Sequence, residues 1–177
     1  MVVIHIDAAY DTKVLSKVYD GVDCTLFYNP SDNDVDTIID AIETDDGPVV
    51  LMGHGSPLGL LNSTMSDYLI DFRWGNILMK KVVIGIWCYA AEFADTYCLH
   101  GFFTSMFVSN LNEAVDHGVG NTTDETIQSE MDWFCTEVNS YIKNEVPLSQ
   151  WVDRLQSSCH KEHDFVKYNY EALSYFE

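Results

Sequence analysis

Two short runs of apolar residues constrain the fold more than any other feature of the sequence. Val49-Val50-Leu51-Met52 and Val82-Val83-Ile84-Gly85-Ile86-Trp87 contain no alternating polar residues. A strand that is apolar along its whole length is typical of a parallel sheet whose two faces are both covered. The runs therefore predict neighbouring strands inside an α/β domain.

A reactive side chain follows each of these runs. His54 lies in the Gly53-His54-Gly55 turn after the first run, and Cys88 comes directly after the second. Ligands of parallel sheets bind just beyond the carboxyl ends of the strands. Both residues lie at such ends, so we expect them to share one crevice.

The first fifty residues predict a β-α-β-α-β alternation, which is typical of a doubly wound sheet with right-handed crossovers. The strands are expected at Val2–Asp7, Cys24–Tyr28 and Val49–Met52, and the helices at 11–19, where Gly21 ends the helix, and 35–42.

The rest of the chain predicts further elements around this sheet. Thr122 and Glu125 have capping-box spacing, and the apolar residues behind them recur every three or four positions, which indicates a long helix. We expect one domain over 1–177, with a sheet core at about 2–118 and helices at about 122–177. The other expected elements are a hairpin at Leu58–Asn62, a helix at Ser66–Trp74, strands at Val82–Trp87 and Thr104–Ser109, a loop or short helix at Ala90–His100, a helix at Asn112–His117, a helix after Pro147 through Leu155, and a tail at Phe165–Phe176 that fits strand or helix.

Composition and charge exclude several classes of function. Apolar residues make up 47% of the 177 residues, which is typical of a globular chain. The formal charge of −19 argues against nucleic acid and anionic membranes as partners, because such a surface repels phosphate. No apolar run is long enough to span a bilayer, and no secretory signal is visible. The five cysteines have no framework spacing, so we expect thiols in a reducing, cytoplasmic setting.

The predicted pair has the chemistry of acyl transfer. A thiolate is a competent nucleophile, and a nearby histidine can stabilise it and protonate the leaving amine. Attack on a carbonyl also needs hydrogen-bond donors for the developing oxyanion. The backbone N–H of Gly55, which no side chain hinders, and that of Cys88 are the candidate donors.

These motifs resemble those of the caspase-like cysteine peptidases of clan CD, which include caspases, metacaspases, legumain, clostripain, gingipain and separase. Met52–Ser56 is similar to their histidine motif, Leu58–Asn62 to the hairpin after it, and Ile84–Ala91 to their cysteine motif. Met106–Ser109 with Glu113-Ala114 resembles the next strand and helix of bacterial members. The resemblance implies a three-layer α/β/α sandwich with a mostly parallel sheet. It also implies a thiol protease with Cys88 as nucleophile, His54 as general acid/base, and Gly55 with Cys88 as oxyanion donors.

The chain departs from this family where substrate specificity is determined. Members that cleave after Arg or Lys often have an acidic residue two positions before the cysteine, where this chain has Ile86. The Arg-bearing motif that serves cleavage after Asp in caspases is also missing. We expect an apolar or neutral pocket for peptide or protein substrates, formed by Ile86, Trp87 and the segment Ser109–Glu113, which includes Asn110. This interpretation requires no metal or cofactor.

Three other interpretations are open at this stage. Gly53-His54-Gly55-Ser56-Pro57 also resembles the histidine turn of tetrapyrrole chelatases and some ring-opening dioxygenases. For such a metal enzyme the further candidate ligands are Cys98, His100, His160 and His163, the last two on one helix face. A serine hydrolase based on Ser56 lacks the G-x-S-x-G elbow. An inactive caspase-like interaction module would use the aromatic residues around Cys88 for binding alone.

Overall fold

Strands and helices alternate along most of the chain in a computed structural model, which describes residues 1–8, 12–160 and 162–177. The strands are β1 (Val2–His5), β2 (Thr25–Tyr28), β3 (Val49–Met52), β4 (Gly55–Ser56), β5 (Gly59–Leu61), β6 (Tyr68–Ile70), β7 (Val82–Ile86), β8 (His100–Thr104) and β9 (Leu173–Phe176). The α-helices are α1 (Val35–Thr44), α2 (Gly75–Leu78), α3 (Ala90–Thr96), α4 (Leu111–Asp116), α5 (Asp124–Lys143), α6 (Trp151–Ser158) and α7 (Asp164–Glu171). Short 3-10 helices cover Lys13–Tyr19, Asp32–Asp34, Phe72–Trp74 and Leu148–Gln150.

A six-stranded sheet in the order β2-β1-β3-β7-β8-β9 forms the centre of the described part of the chain. Its first five strands are parallel, and β9 pairs antiparallel with β8 at one edge. β3 and β7 are neighbours in the middle of the sheet, with Met52 opposite Ile86. The predicted α/β class with a mostly parallel sheet is therefore confirmed.

Buried apolar clusters cover both faces of this sheet. On one face, Val50 and Ile84 pack against side chains of α5, α6 and α7, including Phe134. On the other face, Leu51 and Val83 pack against side chains of α1 and α3. Neighbouring residues of each central strand thus point into different clusters, which explains why these strands contain no polar residue. Helices on both sides are compatible with a three-layer α/β/α arrangement.

A second, three-stranded sheet follows β3 directly. β4, β5 and β6 pair antiparallel. The predicted hairpin is therefore present, and a third strand, β6, is added to it. The predicted helix at Ser66–Trp74 is wrong over its first half, where Tyr68–Ile70 forms β6. This segment is a strand because its backbone pairs with β5. The Asp71 side chain then caps the following 3-10 helix by accepting from Arg73 N at 2.9 Å.

The fifth parallel strand lies earlier in the chain than predicted. The expected strand at Thr104–Ser109 is wrong, because β8 spans His100–Thr104 and a loop follows it. His100 and Gly101 at the start of β8 interrupt the apolar pattern that would mark a strand, although Phe102 and Phe103 are fully buried on opposite faces.

The helices after the sheet match the predictions with small shifts. The long predicted helix is α5, but its N-cap is Thr123, whose side chain accepts from Thr126 N, and not Thr122. The tail forms both α7 and β9, and β9 extends the sheet beyond the expected core at 2–118. The first predicted helix is a 3-10 helix, and its expected start at Asp11 lies outside the described residues. No helix in the described ranges combines the length and apolar character needed to cross a membrane.

Phe134 tests the packing of α5 on the sheet. This side chain is fully buried and its ring centroid lies 4.8 Å from that of Phe107. Phe134→Ala is expected to lower the free energy of unfolding by about 3–5 kcal/mol, because it removes buried surface and leaves a cavity. Urea titration measures the change. Thr136→Ala, at an exposed position of the same helix, should change stability by less than about 0.5 kcal/mol. A similar small loss for both variants would contradict the described packing.

Candidate active site

His54 and Cys88 lie at the same edge of the central sheet. The register places Met52 opposite Ile86, and the N–H of Gly53 donates to the carbonyl of Ile86 at 3.2 Å. His54 and Cys88 each follow this last pair by two residues. Both therefore leave the sheet at the carboxyl ends of adjoining strands, where ligands of parallel sheets bind.

The two side chains border one narrow cavity with a volume of about 40 Å³. Its walls come from the ends of β3 and β7, the loop after β8, the first 3-10 helix and α5. Among the described residues that line the cavity, none is Asp, Glu, Lys or Arg. The lining consists of Thr12, Val14, Leu15, Gly53, His54, Ile86, Trp87, Cys88, Phe107, Ser109, Gln128 and Met131.

The thiol of Cys88 is protonated in this arrangement. Its Sγ donates to the carbonyl oxygen of Phe107 at 3.7 Å. Burial raises the pKa of the Cys88 thiol to about 11, and the carboxylates of Glu113 and Glu92 act in the same direction. A nucleophilic sulfur therefore requires a base that removes the proton during attack, or an opening of the site to water.

A tight turn presents Cys88 at the end of β7. Tyr89 adopts a left-handed backbone conformation with φ 70°, which is uncommon for a residue with a side chain. The turn is fixed from two sides, because Ala90 N and the buried hydroxyl of Thr104 both donate to the carbonyl of Trp87, at 3.2 and 2.8 Å. Strain of this kind persists only where the surrounding structure determines the conformation, and it is often found at functional sites.

The backbone N–H of Gly55 points away from its neighbouring strand. Leu61 N donates to the carbonyl of His54 at 2.9 Å, so Gly55 and Leu60 form a non-hydrogen-bonded pair of the ladder. Only glycine fits at this position. A Cβ atom on Gly55 would lie 2.1 Å from Cδ1 of Trp87 and 2.6 Å from the carbonyl oxygen of Gly59. Gly55 is therefore a sterically suitable oxyanion donor beside the strand that ends near Cys88.

The predicted substrate-binding residues are divided between the cavity and its surroundings. Ile86, Trp87 and Ser109 border the cavity, and the indole N–H of Trp87 donates to the carbonyl of Ser56 at 3.2 Å. Asn110 lies outside the lining. Its side chain caps α4 by accepting from Glu113 N at 3.0 Å.

Sequence patterns did not identify the residues that line the cavity from outside the sheet. Val14 and Leu15 come from the first 3-10 helix, and Gln128 and Met131 come from α5. The periodicity of α5 does place Met131 on its apolar face. It gives no information about which part of the sheet that face covers, so the wall became visible only in the tertiary structure.

A buried polar network holds Thr12 at the cavity. His5 Nε2 lies 3.1 Å from the carbonyl oxygen of Thr12, and its Nδ1 lies 3.0 Å from the hydroxyl of Tyr19. A carbonyl only accepts, so Nε2 carries the proton and Nδ1 accepts from Tyr19. Burial lowers the pKa of His5, which keeps the ring neutral. The carboxylate of Asp7 accepts from the backbone N–H of Thr12 at 3.2 Å and from the hydroxyl of Tyr28 at 2.6 Å.

The candidate metal ligands do not come together around His54. Cys98 and His100 lie at the amino end of β8, away from the edge that His54 occupies. His160 and His163 do not share a helix face as predicted, because both lie in the connection between α6 and α7. His160 Nδ1 instead lies 2.5 Å from Glu130 Oε1. In the described ranges, no three His, Cys, Asp or Glu side chains form a group that could bind a metal ion.

The chain matches no model of a known protein family and no curated protein sequence. Conclusions about function therefore depend on the geometry of this site.

The protonation of Cys88 can be measured directly by alkylation. Because burial raises its pKa to about 11, only about one thiol in a thousand is ionised at pH 8. Cys88 should react slowly at pH 7–8 and accelerate up to about pH 11, whereas the exposed Cys98 serves as an internal reference. Peptide mass spectrometry after timed iodoacetamide treatment gives both rates. Faster labelling of Cys88 than of Cys98 at pH 7 would show a preformed thiolate and contradict the expected state.

Proposed function

We propose that the chain is a caspase-like cysteine endopeptidase in which Cys88 is the nucleophile and His54 the general acid/base. The main support is the position of both residues on one cavity at the carboxyl edge of adjoining parallel strands. The antiparallel strands that follow β3 at once agree with the hairpin that the family resemblance implies. The pair is formed by rigid strand ends, which suits a reaction that needs fixed geometry.

The protonated state of Cys88 determines how the reaction would begin. As a peptide carbonyl approaches, His54 takes the proton from Sγ while the sulfur attacks the carbonyl carbon. The new C–S bond places negative charge on the carbonyl oxygen, and the N–H groups of Gly55 and Cys88 donate to it. The tetrahedral adduct then collapses, the C–N bond breaks, and His54 returns the proton to the leaving amine. Water, activated by the neutral His54, hydrolyses the remaining thioester and releases the acid.

The lining of the cavity supports substrates with an uncharged side chain at P1, the residue before the scissile bond. Its walls include Val14, Leu15, Ile86 and Met131, and the described lining offers no carboxylate or cation to a charged substrate residue. Burying an unpaired charge in such a pocket costs far more than burying an apolar group. The narrow volume further favours small side chains.

A catalytically inactive interaction module of the same fold is the second candidate. The observation that favours it is the raised pKa of Cys88, because a buried cysteine commonly behaves as a small, inert apolar residue. The two candidates differ in one measurable property. An interaction module binds peptides without cleaving them, and replacement of Cys88 then leaves its binding unchanged.

Replacement of the proposed catalytic residues tests the peptidase directly. Cys88→Ala and His54→Ala should each lower turnover of a peptide library by about three orders of magnitude or more, because each removes a reacting group. Both variants should remain folded by circular dichroism, since neither side chain belongs to the buried apolar core.

The matched controls for these variants are Cys98→Ala and His100→Ala, which alter exposed residues at the opposite end of the sheet. Both should keep wild-type turnover. Equal activity of Cys88→Ala and Cys98→Ala would rule out the proposed nucleophile.

The P1 preference can be tested together with the cavity wall. A P1-scanning library should be cleaved best after small uncharged residues. Met131→Ala enlarges the cavity and should improve cleavage after larger apolar residues by about tenfold, in line with the effect of one or two methylene groups in a pocket. Met79→Ala changes a partly exposed methionine outside the cavity lining and should leave the preference unchanged. Best cleavage after Arg would refute the assignment of this pocket.

A further inference from the structure

Asn169 makes an unusual two-point contact with the loop beside Cys88. This side chain lies on α7 and is only 2% exposed. Its Oδ1 accepts from the backbone N–H of Val108 at 2.7 Å, and its Nδ2 donates to the carbonyl of the same residue at 2.9 Å. The amide thus satisfies both polar groups of one buried backbone residue, as a neighbouring strand would.

The residues on either side of Val108 belong to the candidate active site. Phe107 provides the carbonyl oxygen that accepts from the Cys88 thiol, and Ser109 lines the cavity. Two bonds to Val108 therefore fix the backbone between these two residues, and Ser109 is also held by Glu113 Oε2, which accepts from the Ser109 N–H at 2.7 Å. A shift of Val108 would move the Phe107 carbonyl and one wall of the cavity together.

The loop that contains Val108 has few other backbone partners. It follows β8 but does not continue the sheet, so its polar groups need partners from elsewhere. Ser105 N donates to the carbonyl of Ala172 at 3.0 Å, and Gln128 Nε2 donates to the carbonyl of Ser109 at 3.0 Å. Val108 lies between these two contacts, and among the described hydrogen bonds its only partner is Asn169. A buried backbone group without a partner is unfavourable, so the loop should leave this position when the amide is removed.

We propose that Asn169 is a positioning residue that fixes the loop after β8 over the Cys88 thiol and thereby aligns the thiol and cavity for attack. The expected effect on turnover rests on the proposed peptidase function. The effect on the thiol itself does not, because it follows from the contacts around the sulfur.

Several titratable groups surround the thiol and must be considered in any pH profile. Glu92 of α3, Glu113 of α4, and the hydroxyls of Tyr89 and Tyr168 interact with it or with one another, and His54 faces the same cavity. None of these side chains is altered by a substitution at Asn169. Burial is the largest cause of the raised pKa of Cys88, so release of the loop should admit water and lower that pKa.

The test compares Asn169→Leu, which keeps a similar volume and removes both bonds, with the wild-type chain. Alkylation of Cys88 is followed by peptide mass spectrometry from pH 7 to 11, with Cys98 as internal reference. The apparent pKa of Cys88 should fall by about one unit or more. Each unit should raise the rate at pH 8 about three- to fourfold, since a lower pKa also reduces thiolate nucleophilicity. Turnover of the best library peptide should fall about tenfold or more, mainly in kcat, because the reacting groups are misplaced.

Gln156→Leu is the matched control. Gln156 Nε2 donates to the carbonyl of Tyr170 at 2.8 Å. This variant therefore also removes a hydrogen bond from a side-chain amide to the α7 backbone, but it leaves the Val108 contact intact. In Gln156→Leu, the pH dependence of Cys88 alkylation should remain that of the wild type.

Two results would overturn the proposal. One is a lower melting temperature of Asn169→Leu with an unchanged pH dependence of Cys88 alkylation, and the other is an equal shift of that pH dependence in both variants.

Two further measurements cover the case in which Asn169→Leu does not fold. Asn169→Ala removes both bonds without adding bulk or charge, and it should shift the Cys88 profile in the same direction as Asn169→Leu. In the wild-type chain, the Val108 amide should be strongly protected from hydrogen exchange, and exchange at the rate of an unstructured peptide would overturn the proposal. If Asn169→Leu shifts the Cys88 profile while the wild type cleaves no peptide, the positioning role stands and the peptidase function fails. If the wild type cleaves peptides and Asn169→Leu does not shift the Cys88 profile, the peptidase function stands and the positioning role fails.

Discussion

The parallel pairing of β3 with β7 is the interaction on which the candidate site depends. His54 and Cys88 are far apart in the chain. The strand pairing that places Met52 opposite Ile86 brings both residues to the same edge of the sheet. A shift of this register by one residue would also reverse the faces of the buried side chains. The same apolar burial that holds the sheet together therefore sets the relative position of the two reactive groups. Rigid strand ends, and not flexible loops, provide the first part of the site.

The second part of the site consists of the covering elements. Residues of α5, of the first 3-10 helix and of the loop after β8 complete the lining of the cavity. This cover has a chemical consequence, because it limits the contact of the Cys88 thiol with water and raises its pKa to about 11. A protonated, shielded thiol resists oxidation and unspecific alkylation, since the thiolate is the reactive form. In the proposed mechanism the nucleophile is generated only when a substrate and His54 act on it together.

Polar side chains replace missing strand neighbours at three places around this edge. The hydroxyl of Thr104 bonds to the turn before Cys88, the imidazole of His5 bonds to the carbonyl of Thr12, and the amide of Asn169 bonds to Val108. All three side chains are buried. Loops at the end of a parallel sheet have backbone groups that the sheet cannot pair, and each buried group needs a partner. These side chains provide those partners, so the irregular backbone around the cavity has a defined conformation.

The sequence alone determined the α/β class, the apolar strands Val49–Met52 and Val82–Ile86, and the long helix α5, because strong periodicity and complete apolarity are local signals. Only the tertiary structure decided that Tyr68–Ile70 is a strand, that β8 begins at His100, and that Thr123 is the cap of α5. Each of these outcomes depends on a partner or on a shift of one to a few residues that no local pattern specifies. The site shows the same division. His54 and Cys88 could be selected from the ends of strands, whereas Met131 and Asn169 could not, because their roles come from where distant helices pack on the sheet.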